Sequence, residues 1–253
     1  MERIIYFLRT RKNPVLDFLY KTVLRIQLRL KYGYLGSCQT RWVINRFHKI
    51  YYDSGSTGKT WKDTLWLGVK VLKNPFDLWI YQEIIFKIKP DIIIETGTAF
   101  GGSTLYLASL CDLLHRGRIY SVDILKLKRP KHPRIVYLQG SSTDGKILNF
   151  LKGKIGKSDR VMVILDSDHR CDHVLSELKS YAPFVTKNSY LIVEDGNLNG
   201  HPVAEGYGPG PFEAIQNFLR ENNLFVVDKS REKFLITFNP DGYLKKSPNK
   251  LLL

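Results

Sequence analysis

From Lys89 onward, short runs rich in Ile, Val, Leu and Tyr alternate with stretches whose apolar residues recur at three-or-four spacing. That alternation is the pattern of a mostly parallel sheet with helices on both faces. It predicts strands at Asp91 to Glu95, Arg118 to Asp123, Arg134 to Gln139, Arg160 to Asp166 and Tyr190 to Asp195, with a final pair at Phe225 to Asp228 and Phe234 to Phe238. Only a charged turn, Lys229 to Lys233, separates the last two, so a hairpin is expected and one of them should run antiparallel. Helices are expected at Asp77 to Lys87 with Asp77 as N-cap, at Ser103 to His115 closed by Gly117, at His169 to Tyr181 and at Pro211 to Glu221.

The first part of the chain is patterned differently. Leu16, Leu19, Val23, Ile26 and Leu30 form an apolar stripe, and Lys21, Arg25 and Arg29 form a basic row at i, i+4, i+8. This predicts a basic amphipathic helix that either lies on an anionic membrane surface or packs on protein, including another copy of the chain. Residues 33 to 75, with Gly33, Gly36, Ser54 to Ser56, Gly58 and Pro75, read as an irregular connection. The expected division is therefore a basic helical arm and connection over 1–75 and an α/β domain over 76–253.

Charge sharpens this picture. Of a formal net charge of +15, residues 1 to 49 carry +9, so attraction to polyanions belongs mainly to the arm and the core is not read as nucleic-acid binding. Cys38, Cys111 and Cys171 are isolated, with no CxxC pair, which argues against a disulfide framework or a thiolate zinc site and suits a cytoplasmic protein. The apolar run Ile4 to Leu8 is cut by Arg9, Arg11 and Lys12, short of a signal peptide or a membrane span.

In an open α/β sheet ligands bind beyond the carboxyl ends of the strands, and the chemistry-bearing residues cluster there. The first strand runs into Glu95-Thr-Gly97-Thr98-Ala-Phe-Gly101-Gly-Ser103, a glycine-rich turn suited to close backbone approach, though without the GxGxxG spacing of dinucleotide sites. Asp123 ends the next strand, where an acid can accept from ribose hydroxyls. Ser141, Ser142, Thr143 and Asp144 end the third and suit either a ligand contact or a helix cap. Asp166 and Asp168 follow the fourth strand, and Glu194 and Asp195 follow the fifth; such crowded carboxylates call for a hard cation, Mg²⁺ before Mn²⁺ or Ca²⁺, unless several are caps facing solvent. A zinc pair of His169 and His173 lacks a third soft ligand, and Ser167 lacks a nucleophile elbow.

These segments resemble the cephalosporin hydroxylase family, whose members are similar to metal-dependent class I methyltransferases and include rhamnosyl O-methyltransferase-like proteins. The likeness is carried by Asp77-Leu-Trp-Ile-Tyr-Gln-Glu83, Ile94 to Ser103, Val163 to His169, Tyr190 to Asn197 and Gly242 to Lys245. It implies a Rossmann-like sheet of seven strands with the last antiparallel. It implies S-adenosylmethionine bound by Glu95, Gly97, Thr98, Gly101 and Ser103, with its ribose at Asp123 and its adenine facing Ser142. It implies Mg²⁺ held by Asp166, Glu194 and Asp195, and His169 as the base, at the position where similarly spaced catechol-type enzymes carry a lysine. The implied reaction is O-methylation of a sugar, glycolipid or secondary metabolite, under a lid at Asn197 to Pro211 that includes His201, Glu205 and Tyr207. The competing readings are a hydroxylase and a non-catalytic, membrane-associated scaffold.

Because every strand and site residue lies beyond position 90, deleting residues 1 to 34 is expected to leave the core folded and able to bind cofactor. Loss of binding to anionic vesicles alone marks the arm as a membrane face, whereas aggregation or a changed oligomeric state marks it as a packing element.

Overall fold

The computed structural model describes residues 14–32, 37–53 and 60–247. The apolar run Ile4 to Leu8 and the glycines Gly33, Gly36, Gly55 and Gly58 lie outside them. The chain divides into two compact units, Met1–Arg46 and Phe47–Leu253. The first holds α1 (Pro14–Tyr32), the expected amphipathic helix, on which Val15, Phe18, Leu19 and Ile26 are exposed. It also holds the start of α2 (Ser37–Tyr52), a helix where the pattern had suggested an irregular connection. The glycines around it suggested a loop, but none falls between Ser37 and Tyr52. No described helix is long and apolar enough to cross a membrane.

The second unit begins with the end of α2, a 3₁₀ turn at Trp61–Asp63 and a small hairpin of β1 (Leu65–Trp66) and β2 (Val69–Lys70). The core elements follow as α3 (Pro75–Ile88), β3 (Ile92–Thr96), α4 (Gly102–Leu113), β4 (Arg118–Asp123), β5 (Ile135–Gln139), α5 (Gly145–Lys152), β6 (Val161–Leu165), α6 (Cys171–Tyr181), β7 (Tyr190–Val193), α7 (Pro211–Glu221), β8 (Phe225–Val227) and β9 (Tyr243–Lys246). The seven-stranded sheet has the order β5-β4-β3-β6-β7-β9-β8, with β9 antiparallel to both of its neighbours and every other pair parallel. This is the expected α/β architecture with the last strand antiparallel.

Both faces are buried, which is why the central strands read as continuous apolar runs. On one side Ile92, Ile94, Val163, Leu165, Leu191 and Val193 pack with α6 and α7 residues such as Leu178 and Phe218. On the other, Ile93, Ile164, Ile192 and Tyr243 pack with Ile80 and Ile84 of α3 and Leu107 of α4.

Two expectations need correction. Phe234 to Phe238 is not a strand: Lys229–Glu232 is a 3₁₀ turn capped by Asp228, and the last strand lies further on, at Tyr243–Lys246. The Phe238 amide is taken by the Asp77 carboxylate and its carbonyl by Asn197, so the segment's backbone groups go to other partners than a strand ladder. Asp77 is not the N-cap of α3 either; Asn74 caps it, accepting from Phe76, and Pro75 occupies the first turn. Asp77 is instead fully buried, accepting from Asn74 Nδ2, the hydroxyls of Thr237 and Tyr243, and the Phe238 amide.

Those four buried donors would lose their common acceptor, so Asp77→Ala should destabilise the fold by at least about 3 kcal/mol, as leaving buried donors unpaired requires. Chemical denaturation of the variant checks this, and a change below about 1 kcal/mol contradicts it.

Candidate active site

The strand order reverses between β3 and β6, and there a cavity of about 620 Å³ opens beyond the carboxyl ends of β3, β4, β5, β6 and β7. Gly97, Thr98, Ser103, Asp123, Ser142, Asp166, His169 and Asp195 all line it. Glu95, Gly101 and Glu194 do not. They stand behind its wall.

The register explains the convergence. Thr96 pairs with Leu165, and Leu165 with Val193, so β3, β6 and β7 end level with one another. The chain continues the pairing for one step, with the Asp166 amide on the Thr96 carbonyl and the Glu194 amide on Leu165. The glycine turn is held equally closely. Gly97 has φ +79, and a Cβ there would meet the Asp166 carbonyl oxygen at 1.7 Å. Gly102, at the start of α4, lies so near the strand β2 that a Cβ would meet the Lys70 carbonyl oxygen at 2.1 Å. Glu95 is buried beneath the turn, accepting from Ser103 at 2.6 Å, from Ser121 at 2.8 Å and from Thr104.

Asp123 accepts from the amides of Ala99 and Leu125, each at 2.7 Å, and faces the Arg129 guanidinium at 3.1 Å. These contacts fix its carboxylate in the cavity lining. Asp144 caps α5 through the Lys146 amide and is not part of the wall, whereas Ser142 is. The Ser142 hydroxyl lies 3.2 Å from His173 Nε2, and that imidazole also faces Ser167 and Glu177. His173 is thus occupied away from His169, which removes the zinc pair. Asp168 is drawn aside by Arg170, whose guanidinium holds its pKa down to about 2.

At the floor, donor atoms of Asp166, His169 and Asp195 lie within 4.8 Å of one another, and they form the one such group of potential metal ligands among the described residues. His169 Nε2 is 3.3 Å from Asp195 Oδ2. Asp195 has a left-handed φ of 55, so the chain turns at this residue and the two successive acids point to different sides. Glu194 points down, where its Oε1 accepts from Lys73 Nζ at 2.5 Å and from the Tyr81 hydroxyl. Lys73 also donates to Asp166 Oδ2 at 2.6 Å.

Burial raises the pKa of Asp166 to about 6 against the pull of Lys73, and raises those of Glu194 and Asp195 as well, opposed by Lys73 and His169 respectively. Burial alone would lower the His169 imidazole, but the carboxylates of Asp195, Asp166 and Glu194 outweigh it and the net shift is upward. The carboxylate oxygens, with no thiolate beside them, suit a hard divalent ion, and the imidazole is the softer donor of the group. The residues therefore fit Mg²⁺.

Sequence reasoning missed the site's upper wall and its internal cation. Tyr52 and Trp61 stack at 5.3 Å and both line the cavity, although they precede β3, the first strand of the large sheet, by thirty residues or more. Nothing in the local pattern marks Lys73, a lysine ahead of a helix cap, as buried. The expected lid, Asn197 to Pro211, borders a second cavity of about 470 Å³, in which Pro202 to Glu205 face Lys49, Tyr52, Asp53 and Lys62. Tyr52 is common to both cavities. A Lys49–Glu205 ion pair at 2.5 Å ties the lid to the end of α2, and His201 is held by Glu213 at 2.9 Å.

The model of the family described as Rhamnosyl O-methyltransferase/CmcI matches residues 58–247. The chain belongs to that family. It is similar to the rhamnosyl O-methyltransferase of Mycobacterium leprae (strain TN), with 38% identity over 211 residues covering 80% of this chain and 90% of the relative. It is likewise similar to that of Mycobacterium tuberculosis (strain H37Rv), 37% identical over 210 residues covering 80% and 84%. Among solved structures it resembles apo CmcI-N160, with a TM-score of 0.58, 19% identity and coverage of 74% of this chain and 78% of that one. That likeness shows the shared fold. As a member of the family the protein is an S-adenosylmethionine-dependent O-methyltransferase, and the hydroxylase and scaffold readings fall away.

The clash at Gly97 generates a sharper expectation than a simple loss of cofactor contact. Gly97→Ala should cost at least about 2 kcal/mol of stability, since the new carbon has nowhere to go without parting β3 from β6. It should also abolish S-adenosylmethionine binding in calorimetry; a stable variant with unchanged affinity contradicts the placement.

Proposed function

We propose that this enzyme transfers the methyl group of S-adenosylmethionine to a hydroxyl of a rhamnosyl or related sugar unit carried on a lipid or secondary metabolite. The sugar is supported by the names of the curated relatives, the two mycobacterial rhamnosyl O-methyltransferases and, over 127 residues at 27% identity, an 8-demethyl-8-alpha-L-rhamnosyl tetracenomycin-C 2'-O-methyltransferase of Streptomyces olivaceus. The observation that carries the chemistry is the grouping of Asp166, His169 and Asp195 on the floor of the cavity that Gly97, Thr98, Ser103, Asp123 and Ser142 also line.

In this reading the glycine turn would hold the cofactor, Gly97 and Thr98 through their backbone, while Asp123 would accept from its ribose and Ser142 would face its adenine. Glu95 and Gly101 shape the turn from behind. Asp166, Glu194 and Asp195 would hold Mg²⁺, with Asp166 and Asp195 already grouped on the cavity floor and Glu194 engaged through Oε1 by Lys73 and Tyr81. The solved cmcI-D160 structure is described as Mg-SAM, in keeping with this pairing of cofactor and metal. A bound Mg²⁺ lowers the pKa of an acceptor hydroxyl and orients its oxygen. His169, held by Asp195, takes the hydroxyl proton, and the stacked Tyr52 and Trp61 form a face against which a sugar ring can lie.

The second cavity, which shares Tyr52 with the first, accommodates the remainder of the acceptor. We take the catalytic domain to begin near Phe47, because Tyr52, Trp61 and Lys73 belong to the same unit as the sheet. For the arm, the exposed Phe18, Leu19 and Ile26 beside Arg25 and Arg29 favour contact with an anionic membrane.

With labelled S-adenosylmethionine and a rhamnoside acceptor, EDTA should abolish transfer and Mg²⁺ restore it. Asp166→Asn, Glu194→Gln and Asp195→Asn should each lower kcat/KM by roughly a hundredfold or more while cofactor affinity changes by less than about threefold. His169→Ala should keep the metal and lose about a hundredfold in kcat. Tyr52→Ala should instead raise the acceptor KM. Full-rate methylation in EDTA contradicts the metal's role, and an unchanged KM in Tyr52→Ala contradicts the acceptor site.

A further inference from the structure

Lys73 is deeply buried at the site, with its side chain 3% exposed, and it is placed by several backbone devices. Leu72, just before it, adopts a left-handed φ of 58, which a branched residue takes only when its surroundings require it. The Val71 amide is fixed on the Thr64 carbonyl, the Thr64 hydroxyl reaches the Lys73 carbonyl, and Asn74 locks the start of α3 immediately afterwards. The result is an ammonium between Asp166 Oδ2 and Glu194 Oε1, at 2.6 and 2.5 Å. It uses one oxygen of each carboxylate and leaves the other oxygen of each.

We propose that Lys73 is a resident counter-ion of the metal site, which holds Asp166 and Glu194 in place when no metal is bound and opposes the divalent ion when one is. The inference rests on the metal reading above. Three carboxylates meet here, Asp166, Glu194 and Asp195, and the ammonium offsets one of their charges, so that a divalent cation balances the rest. A buried cluster of like charges would otherwise depend on the metal for its stability. With Lys73 present the metal-free protein stays folded and the ion is bound only as tightly as the remaining charge allows. Lys73 is thus a positioning residue: it lies behind the ligands and does not touch the acceptor.

The test measures metal affinity and stability without turnover. Mg²⁺ binding is followed by calorimetry, and Mn²⁺ binding by electron paramagnetic resonance, at pH 8 in the full chain, for the parent and for Lys73→Met, Lys73→Gln and Lys73→Arg. Removing a unit charge a few ångströms from a divalent ion should tighten its binding by about tenfold or more in the Met and Gln variants. Their metal-free melting temperatures should fall, and saturating Mg²⁺ should raise them by more than it raises the parent's. The Arg variant, which keeps the charge, should stay within about threefold of the parent's affinity.

Affinity that is unchanged or weaker in the folded neutral variants overturns the proposal, as does an Arg variant that behaves like Met. Neutral variants that stay unfolded even in saturating Mg²⁺ also overturn it, since the lysine would then be structural alone. A parent that binds no Mg²⁺ at all refutes the metal reading itself, an outcome distinct from a parent that binds the ion and neutral variants that bind it no better.

Discussion

The level ends of β3, β6 and β7 place Asp166, Glu194 and Asp195 side by side, and the like charge gathered there is the constraint to which the surrounding structure answers. Carboxylates taken out of water raise one another's pKa, so such a cluster persists only with positive charge and donors packed around it. The chain supplies them from distant positions: Lys73 between Asp166 and Glu194, the Tyr81 hydroxyl on Glu194, and the His169 imidazole against Asp195. The left-handed turn at Asp195 then separates two consecutive acids, one facing the cavity and one facing the protein.

Much of the fold can be understood as support for this arrangement. α3 brings Tyr81 under Glu194, and Asn239 in turn donates to the Tyr81 oxygen at 3.1 Å. Asp77, on the preceding turn of the same helix, gathers Thr237, Phe238 and Tyr243, which anchors the 237–243 segment and the last strand against α3. The segment that would have extended the sheet at Phe234 to Phe238 is thereby diverted into the support of the site. The strap from Lys70 to Asn74 performs a double task, closing over the start of α4 at Gly102 and delivering Lys73 to the carboxylates. The glycine turn and the carboxylate floor are therefore mechanically joined, through Gly102 at one end of the strap and Gly97 against Asp166 at the other side of the cavity.

The upper wall of the cavity is built differently. It comes from the end of α2 and the 3₁₀ turn, where Tyr52 and Trp61 stack on each other and both meet the Phe238 ring edge-on. Tyr52 lies outside the residues that match the family model, whereas the strand-end carboxylates lie inside them.

The parallel core and the positions of the strand-end residues were legible in the sequence because each is a local signal, whereas the expected antiparallel strand was placed at Phe234 to Phe238 and lies at Tyr243–Lys246. A buried strand must be apolar, a tight turn must be glycine-rich, and polar residues at strand ends have few other uses. Gly97, Asp123, Asp166, His169 and Asp195 could thus be named before any coordinate was known. What the sequence left undetermined depends on contacts between distant residues. Asp77 looked like a helix cap because an acid before a helical run usually is one; only the approach of Thr237, Phe238 and Tyr243 made it a buried acceptor. Glu194 and Asp195 were indistinguishable as neighbours until a left-handed backbone turned them apart. Lys73 carried no local mark, since a lysine is ordinarily a solvated charge, and its role exists only because the tertiary structure closes it between two acids 93 and 121 residues away. Periodicity and residue type determine which elements form and which groups they present, whereas the pairing of charges across the chain is decided by packing alone.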